Sequence, residues 1–102
     1  MTAYFVAFGT VKNAELLAHY IEASSPIVEA FGGRFMGASD DTHVLLGEHP
    51  HGRTALFEFP DIAACKAWYS SEAYRGVWAV RQQAADFVFL VFEPGRASTP
   101  VP

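Results

Sequence analysis

The chain has 102 residues, a length typical of one domain, and 51% of them are hydrophobic. Its formal net charge is −4 and its arginines are dispersed, which argues against a nucleic-acid partner, since nucleic-acid binding needs a concentrated basic surface. The apolar N-terminal run is too short to span a membrane and no basic region precedes it, and a single cysteine, Cys65, cannot form an internal disulfide. We therefore expect a cytoplasmic protein with no membrane or nucleic-acid partner, in which Cys65 is a packed thiol.

The first part of the chain predicts a strand followed by a helix. The strand spans about Ala3 to Val11, and Asn13 is placed to cap the helix. Apolar residues recur along one helical stripe, but Pro26 interrupts the pattern, so the helix either kinks there or stops and restarts. Gly32 and Gly33 are expected to end the helix, because glycine tolerates a positive φ.

Two more strands are predicted in the middle of the chain. The second strand begins with Arg34–Gly37, meets a turn or bulge at Asp40–Asp41, and continues briefly in Val44–Leu46. The segment Glu48–Gly52 has the composition of a loop. The third strand spans Arg53 to Phe59 and ends at Pro60.

The last part predicts helices and a final strand. Asp61 caps a helix that continues to about Ser70, and Ser71 caps a further helical stretch from Glu72 to Ala84. The last strand covers Asp86 to Phe92. The Pro-rich tail, residues 96–102, is expected to be disordered, which leaves one domain over residues 1–95.

This βαββαβ order predicts a ferredoxin-like α+β fold, with a four-stranded antiparallel sheet and its helices on one face. The predicted strands are apolar on both faces, which is unusual for an antiparallel sheet with one side in water. In the last strand, one face carries Phe87, Phe89 and Val91, and the other carries Val88, Leu90 and Phe92. Because the helices cover only one face, we expect a second copy of the chain to cover the other, so that two sheets pair as a dimeric α/β barrel.

Several short strings resemble the DUF1330 family over about Ala3 to Phe92. They are Tyr20, Gly32-Gly33-Arg34-Phe35, Glu58-Phe59-Pro60, Ala67-Trp68-Tyr69, Ser71-Glu72-Ala73-Tyr74 and Arg81. The resemblance implies a small bacterial protein of the dimeric α/β-barrel, ferredoxin-like superfamily, and a homodimer. It implies no reaction, because that family is named for having no assigned function, and the signatures of the superfamily's monooxygenases, lactone isomerases and haem enzymes are not matched.

Glu58 is the first candidate site residue, on the same strand face as Thr54 and Leu56. A carboxylate facing a barrel interior can serve as a general acid or base, but it can equally be held in an ion pair with Arg34 or Arg81. Arg34 follows the Gly-Gly turn, where its guanidinium either grips a ligand carboxylate or enolate, or bridges to Glu58 or to a partner subunit.

Arg81 and three tyrosines are the other candidates. Arg81 shares a helix face with Trp78, which favours stacking or a bridge to a strand carboxylate over anion binding. Tyr20, Tyr69 and Tyr74 are either core and interface rings or the lining of a ligand cavity. Trp68 belongs to the core by its helix face.

The residue pattern predicts neither a cofactor nor a native metal site. His49 and His51 have metal-binding side chains, but two histidines in a loop, with no further ligand placed to complete the set, are a weak signal. Asn13 and Trp68 are reminiscent of haem-degrading enzymes, yet the helix from Tyr74 to Arg81 lacks the histidine that a haem iron would need.

The leading functional hypothesis is a homodimer that binds a small organic acid or aromatic metabolite between sheet and helices. If the ligand reacts, the expected chemistry is cofactor-free proton transfer or isomerisation, with Glu58 as acid or base and Arg34 or Arg81 steadying an oxyanion. The alternative is a non-catalytic module that senses or carries a ligand, or has none. A haem- or metal-dependent oxygenase is the third and weakest hypothesis.

Overall fold

The computed structural model describes residues 1–95, and the predicted disordered tail lies outside the described residues. In chain order, the elements are strand β1 (Ala3–Val11), helix α1 (Ala14–Ala30), strands β2 (Arg34–Ser39) and β3 (Arg53–Phe59), helices α2 (Ile62–Ser70), α3 (Glu72–Arg75) and α4 (Trp78–Ala84), and strand β4 (Ala85–Phe92). Within residues 1–95, no helix has the length and apolar character needed to cross a membrane.

The four strands form one antiparallel sheet in the order β2-β3-β1-β4. β1 lies inside the sheet, where Val6 is opposite Leu56 on one side and Leu90 on the other. Alternate β1 residues are buried towards the helices, beginning with Ala3 and Phe5. The fold is therefore the predicted ferredoxin-like α+β arrangement, with the helices on one face.

Aromatic rings dominate the core between the sheet and the helices. Trp68 of α2 is 2% exposed, and its ring lies 5.1 Å from Phe5 and 4.3 Å from Tyr74 between centroids. Phe59 and Tyr74 are buried as completely. Its burial makes Trp68 a core residue, as its helix face predicts. Burial of one such side chain contributes about 1.5–3 kcal/mol to the stability of the fold.

Helix α1 begins and ends as predicted but passes through Pro26 without a stop. The Asn13 side chain accepts a hydrogen bond from the Leu16 N–H at 3.0 Å. Pro26 lacks the N–H that would bond one turn back, yet the helix remains one element from Ala14 to Ala30, so the stop-and-restart alternative is wrong. Gly32, with φ of +83°, follows the helix.

The predicted strand continuation at Val44–Leu46 is wrong. The side chains of Leu45 and Leu46 are 97% and 96% exposed in an irregular loop. Ser39 of β2 already pairs with Thr54, one residue from the start of β3, so no strand remains for Val44–Leu46 to pair with. The apolar run suggested a strand, but the register of the sheet leaves it without a partner.

Two smaller differences concern the second half of the chain. The helical stretch predicted from Glu72 to Ala84 is divided into α3 and α4, because Val77 leaves helical geometry with φ of −107° and ψ of 3°. The bulge in β2 lies between Phe35 and Gly37, whereas at Asp40–Asp41, predicted as a turn or bulge, the chain bends directly after the strand.

The sheet face away from the helices is largely apolar and, apart from the end where the loop around His49 packs on Phe8, uncovered within residues 1–95. We call it the open face. Leu90 and Phe92 of β4 are 53% and 50% exposed there. Its apolar residues are Tyr4, Val6, Phe8, Leu56, Val88, Leu90 and Phe92. The predicted two-sided apolar character of the strands is therefore present in the fold.

Gly33, between α1 and β2, tests how tightly this turn packs on the core. A Cβ added at Gly33 would lie 2.5 Å from Val28 Cγ1 and 2.8 Å from Phe59 Cε1. We expect Gly33→Ala to lower the free energy of unfolding by about 1–3 kcal/mol in urea titrations at fixed protein concentration. The control is Gly52→Ala, where the nearest atom is 3.7 Å away. An equal effect of both substitutions would contradict the close packing of Gly33.

Candidate ligand site

The structure separates the six candidate residues into two groups on opposite faces of the sheet. Glu58 and Arg34 belong to the open face, because they alternate with residues such as Phe57 and Phe59 that pack towards the helices. Tyr20, Tyr69, Tyr74 and Arg81 lie in the helical layer. The hypothesis that Glu58 and Arg81 act together in one pocket is therefore wrong: a four-stranded sheet lies between them.

Glu58 and Arg34 form an ion pair across the β2–β3 ladder. They are direct partners in the register, and Arg34 Nε donates a hydrogen bond of 2.6 Å to Glu58 Oε1. The Arg34 Nη2 also contacts Glu58 Oε1. The sequence left open whether Arg34 binds a ligand, a partner subunit or Glu58. The structure shows the salt bridge to Glu58 within the chain.

A chain of hydroxyl and guanidinium groups joins α1, α3 and α4. The hydroxyl groups of Tyr20 and Tyr74 share a hydrogen bond of 2.5 Å, and Arg81 Nη1 donates to the Tyr74 hydroxyl at 3.3 Å. Burial raises the pKa of Tyr20 well above its ordinary value, and the neighbouring Tyr74 raises it further. Burial also raises the pKa of Tyr74, against its hydrogen bonds to Tyr20 and Arg81. Both phenols therefore keep their protons at neutral pH.

Arg81 is a partly buried cation among aromatic rings. Its guanidinium carbon lies 5.5 Å from the ring centroids of Trp78 and Phe89 and 5.7 Å from those of Tyr69 and Tyr74. Burial acts to lower the pKa of Arg81, but its contacts with Tyr74 and Tyr69 outweigh this and leave that pKa above the ordinary value. No salt bridge to Arg81 occurs within residues 1–95, and its charge is met there by ring faces and by the phenol groups of Tyr74 and Tyr69.

Two cavities lie between the helices and the sheet. The first, about 660 Å³, lies towards the β4 edge, and we call it the β4-side cavity. Arg81, Tyr69, Gln82, Lys66 and Cys65 are among its lining residues, with Phe87 and Phe89 on the sheet side. The second, about 340 Å³, lies towards β2 and is called the β2-side cavity. Leu17, Tyr20, Ile21, Ser24, Phe35 and Phe57 contribute to its lining.

Cys65 and the two tryptophans supply further polar atoms in this layer. Burial raises the pKa of the Cys65 thiol to about 11, so the group is a neutral, packed thiol at neutral pH. The indole N–H groups of Trp68 and Trp78 are buried without an acceptor within residues 1–95. A buried N–H without a hydrogen-bond acceptor lowers the stability of the fold by about 1–3 kcal/mol. A bound group that accepts a hydrogen bond from it would recover part of this free energy.

The two loop histidines pack against the end of the open face. The His49 ring lies 4.7 Å from the Phe8 ring, and His51 Nδ1 is 2.8 Å from Thr10 Oγ1. Among residues 1–95, no group of three or more His, Cys, Asp or Glu side chains is arranged to hold a metal ion.

The family with the description "Domain of unknown function (DUF1330)" matches residues 2–94 of the chain. The match spans nearly the whole sequence, so the protein belongs to the DUF1330 family. No curated protein matches the chain.

Solved structures with the same fold are distant in sequence. RPA0582, a protein of unknown function from Rhodopseudomonas palustris, is 20% identical with a TM-score of 0.74, over 94% of this chain and 84% of that chain. SnoaB, a cofactor-independent oxygenase from Streptomyces nogalater, is 14% identical with a TM-score of 0.64, over 98% of each chain. A dimeric ferredoxin-like protein of unknown function from Thermobifida fusca is 14% identical with a TM-score of 0.57, over 90% of each chain. At these identities the likeness shows the fold alone.

Sequence reasoning missed the rings that the two cavities share. Phe5, Trp68, Phe87 and Phe89 line both cavities. Their signal was available in part, because the alternation in β1 and β4 puts Phe5, Phe87 and Phe89 on the same face. Open space between these rings and the helices depends on the distance between α1 and the sheet. The spacing of apolar residues in the sequence does not determine that distance.

The buried tyrosine pair predicts a loss of stability at alkaline pH. Unfolded tyrosines ionise near pH 10, whereas folded Tyr20 and Tyr74 keep their protons, so the unfolded state binds fewer protons and the free energy of unfolding falls as pH rises above about 10. We expect Tyr20→Phe to reduce this fall by about 1 kcal/mol between pH 9.5 and 11, as measured by urea unfolding.

The control for this experiment is Gly33→Ala, which perturbs the packing of the core without removing a phenol. We expect the alkaline fall to keep its wild-type size in this variant. A Tyr20→Phe variant with the full wild-type fall would contradict the assignment of a buried, protonated phenol to Tyr20.

Proposed function

We propose that the protein binds a small organic acid in the β4-side cavity, with the carboxylate held by Arg81. The observation that carries this proposal is the guanidinium itself: it lines the cavity, is partly buried, and has no carboxylate partner within residues 1–95. An anion stabilises a partly buried cation more than it stabilises a cation exposed to water. A planar guanidinium is also suited to bind a carboxylate through two parallel hydrogen bonds.

The surrounding residues favour an acid with an apolar or aromatic body. Tyr69, Trp68 and Phe89 supply ring surfaces to the β4-side cavity, while Gln82 and Lys66 are polar residues of the same lining. This is the usual composition of a small-molecule site, in which apolar walls carry a few polar groups that set orientation.

We also propose that the protein is a homodimer whose subunits pair through their open faces. From strand spacing and rise, the open face measures roughly 20 by 25 Å, so two such faces bury on the order of 1,000 Å², the lower bound for a specific interface. The Thermobifida fusca protein of the same fold is described as dimeric, which supports a dimer here. A cytoplasmic location stays a prediction from composition.

In this dimer, the Arg34–Glu58 pair lies at the edge of the interface. Glu58 lines neither of the two helix-side cavities. We therefore propose an interface ion pair as its role, in place of the acid–base role predicted from the sequence. Such a pair contributes more to the register of the two subunits than to their affinity.

Conversion of the ligand without a cofactor is the second candidate function. The observation that favours it is the Tyr20–Tyr74–Arg81 chain, which ends in a cation that can steady a developing oxyanion. SnoaB is a cofactor-independent oxygenase with the same fold. Binding without conversion, as in a sensor or carrier, is favoured here because the base predicted from the sequence, Glu58, lies on the other face.

The binding proposal is tested by calorimetry with sodium benzoate as the probe. We expect Arg81→Gln to weaken benzoate binding about 10- to 100-fold, because a hydrogen bond to a charged group contributes about 1.5–3 kcal/mol. The matched control is Arg75→Gln, which removes an exposed guanidinium near Trp78 and is expected to leave affinity unchanged. Equal affinities of wild type and Arg81→Gln, or no benzoate binding by the folded wild type, would refute the proposal.

The dimer is tested with a lysine placed on the open face. We expect Val88→Lys to raise the dissociation constant of the dimer about 100-fold or more, because an unpaired charge in an apolar interface is costly to desolvate. Light scattering across a concentration series measures this shift. Ala63→Lys, on the exposed surface of α2, is the control and should leave assembly intact. A Val88→Lys protein that assembles like wild type would exclude the open face as the interface.

A further inference from the structure

The two helix-side cavities meet at a common wall of aromatic rings. Phe5, Trp68, Phe87 and Phe89 line both of them. Beyond this wall, one cavity extends over β4 and the other extends towards β2, which are the two edge strands of the sheet. The two cavities therefore lie side by side under the helices, one towards each edge of the sheet, with these four side chains as their common boundary.

The two halves of this space differ in polarity. The β4-side cavity contains Arg81, which has no carboxylate partner within residues 1–95, together with Lys66 and Asp86, whose carboxylate is paired with Lys12 at 3.2 Å. The β2-side cavity is mainly apolar, and the one cation among its lining residues, Arg53, is paired with Asp40 at 3.0 Å. Glu29 of α1 also borders it but is exposed. An anionic group is thus favoured at one end only.

We propose, on the basis of the function proposed above, that the two cavities are compartments of one site for a carboxylic acid with an extended apolar tail. The carboxylate binds Arg81 in the β4-side cavity. The tail passes along the shared rings into the β2-side cavity, where it is covered by α1.

Size and connectivity support this assignment. Volumes of about 660 and 340 Å³ both fall within the range of small-molecule sites. A two- or three-carbon acid at Arg81 would leave the β2-side cavity unfilled, whereas a longer tail would exchange its contact with water for contact with rings. The hydrogen-bonded chain also links the compartments, because Tyr20 lines one and Arg81 lines the other, with Tyr74 between them.

The experiment compares butyrate with octanoate by calorimetry. Each additional buried methylene group contributes about a four-fold gain in affinity, so the four extra methylenes of octanoate should tighten binding by about 200-fold. Arg81→Gln should weaken both acids by a similar factor, because both present the same carboxylate.

Ile21→Phe tests where the tail lies. Ile21 lines the β2-side cavity and is partly exposed, so the larger ring enters the cavity from its rim without disturbing the buried core. We expect this variant to weaken octanoate binding at least 10-fold and leave butyrate binding unchanged. Ala63→Phe adds a ring to the outer surface of α2 and should change neither affinity.

The outcomes distinguish this inference from the function on which it rests. Equal affinities for butyrate and octanoate, or octanoate binding that Ile21→Phe leaves intact, would overturn the two-compartment site while Arg81-dependent benzoate binding still stood. Loss of binding for every acid tested, including benzoate, would overturn both. Octanoate binding that requires Arg81 and is weakened by Ile21→Phe alone is the result that supports it.

Discussion

The structure depends on strands that are apolar on both of their faces. In β1 and β4, successive side chains point to opposite sides of the sheet and nearly all of them are apolar, so the sheet must bury two surfaces. The helices cover one surface and, because they meet it through large rings, they also leave cavities there. The other surface is left for a partner. Both parts of the proposed function, the ligand site and the dimer, follow from this single property of the strands.

Arg81 gives the helix-side layer its chemical character. A cation that is partly buried needs other groups to stabilise its charge. For Arg81 these groups include ring faces and the Tyr74 hydroxyl. The buried Tyr20–Tyr74 pair fixes the position of that hydroxyl. The geometry therefore holds a positive charge at the wall of a cavity, whereas the ion pair of Arg34 and Glu58 on the open face satisfies its own charges.

The fold could be predicted from the sequence because its determinants are local. Period-2 apolar runs marked β1, β3 and β4, and Asn13 and Asp61 marked the starts of α1 and α2. Val44–Leu46 was predicted wrongly, because whether an apolar run becomes a strand depends on a free neighbour in the sheet. In the candidate site, alternation alone places Glu58 on the face opposite Phe57, so its separation from Arg81 was predictable. The contact between Tyr20 and Tyr74, 54 residues apart, was not, because it arises from the packing of α1 against the other helices.

In the proposed dimer, a second copy of the chain shields the open face. The most direct measurement is isotope-filtered NMR on a mixture of labelled and unlabelled protein, which detects only contacts between chains. We expect intermolecular NOEs from the methyl groups of Val6, Leu56 and Leu90, at the centre of the open face. Methyl groups there that show NOEs to water and none to another chain would contradict the proposed dimer.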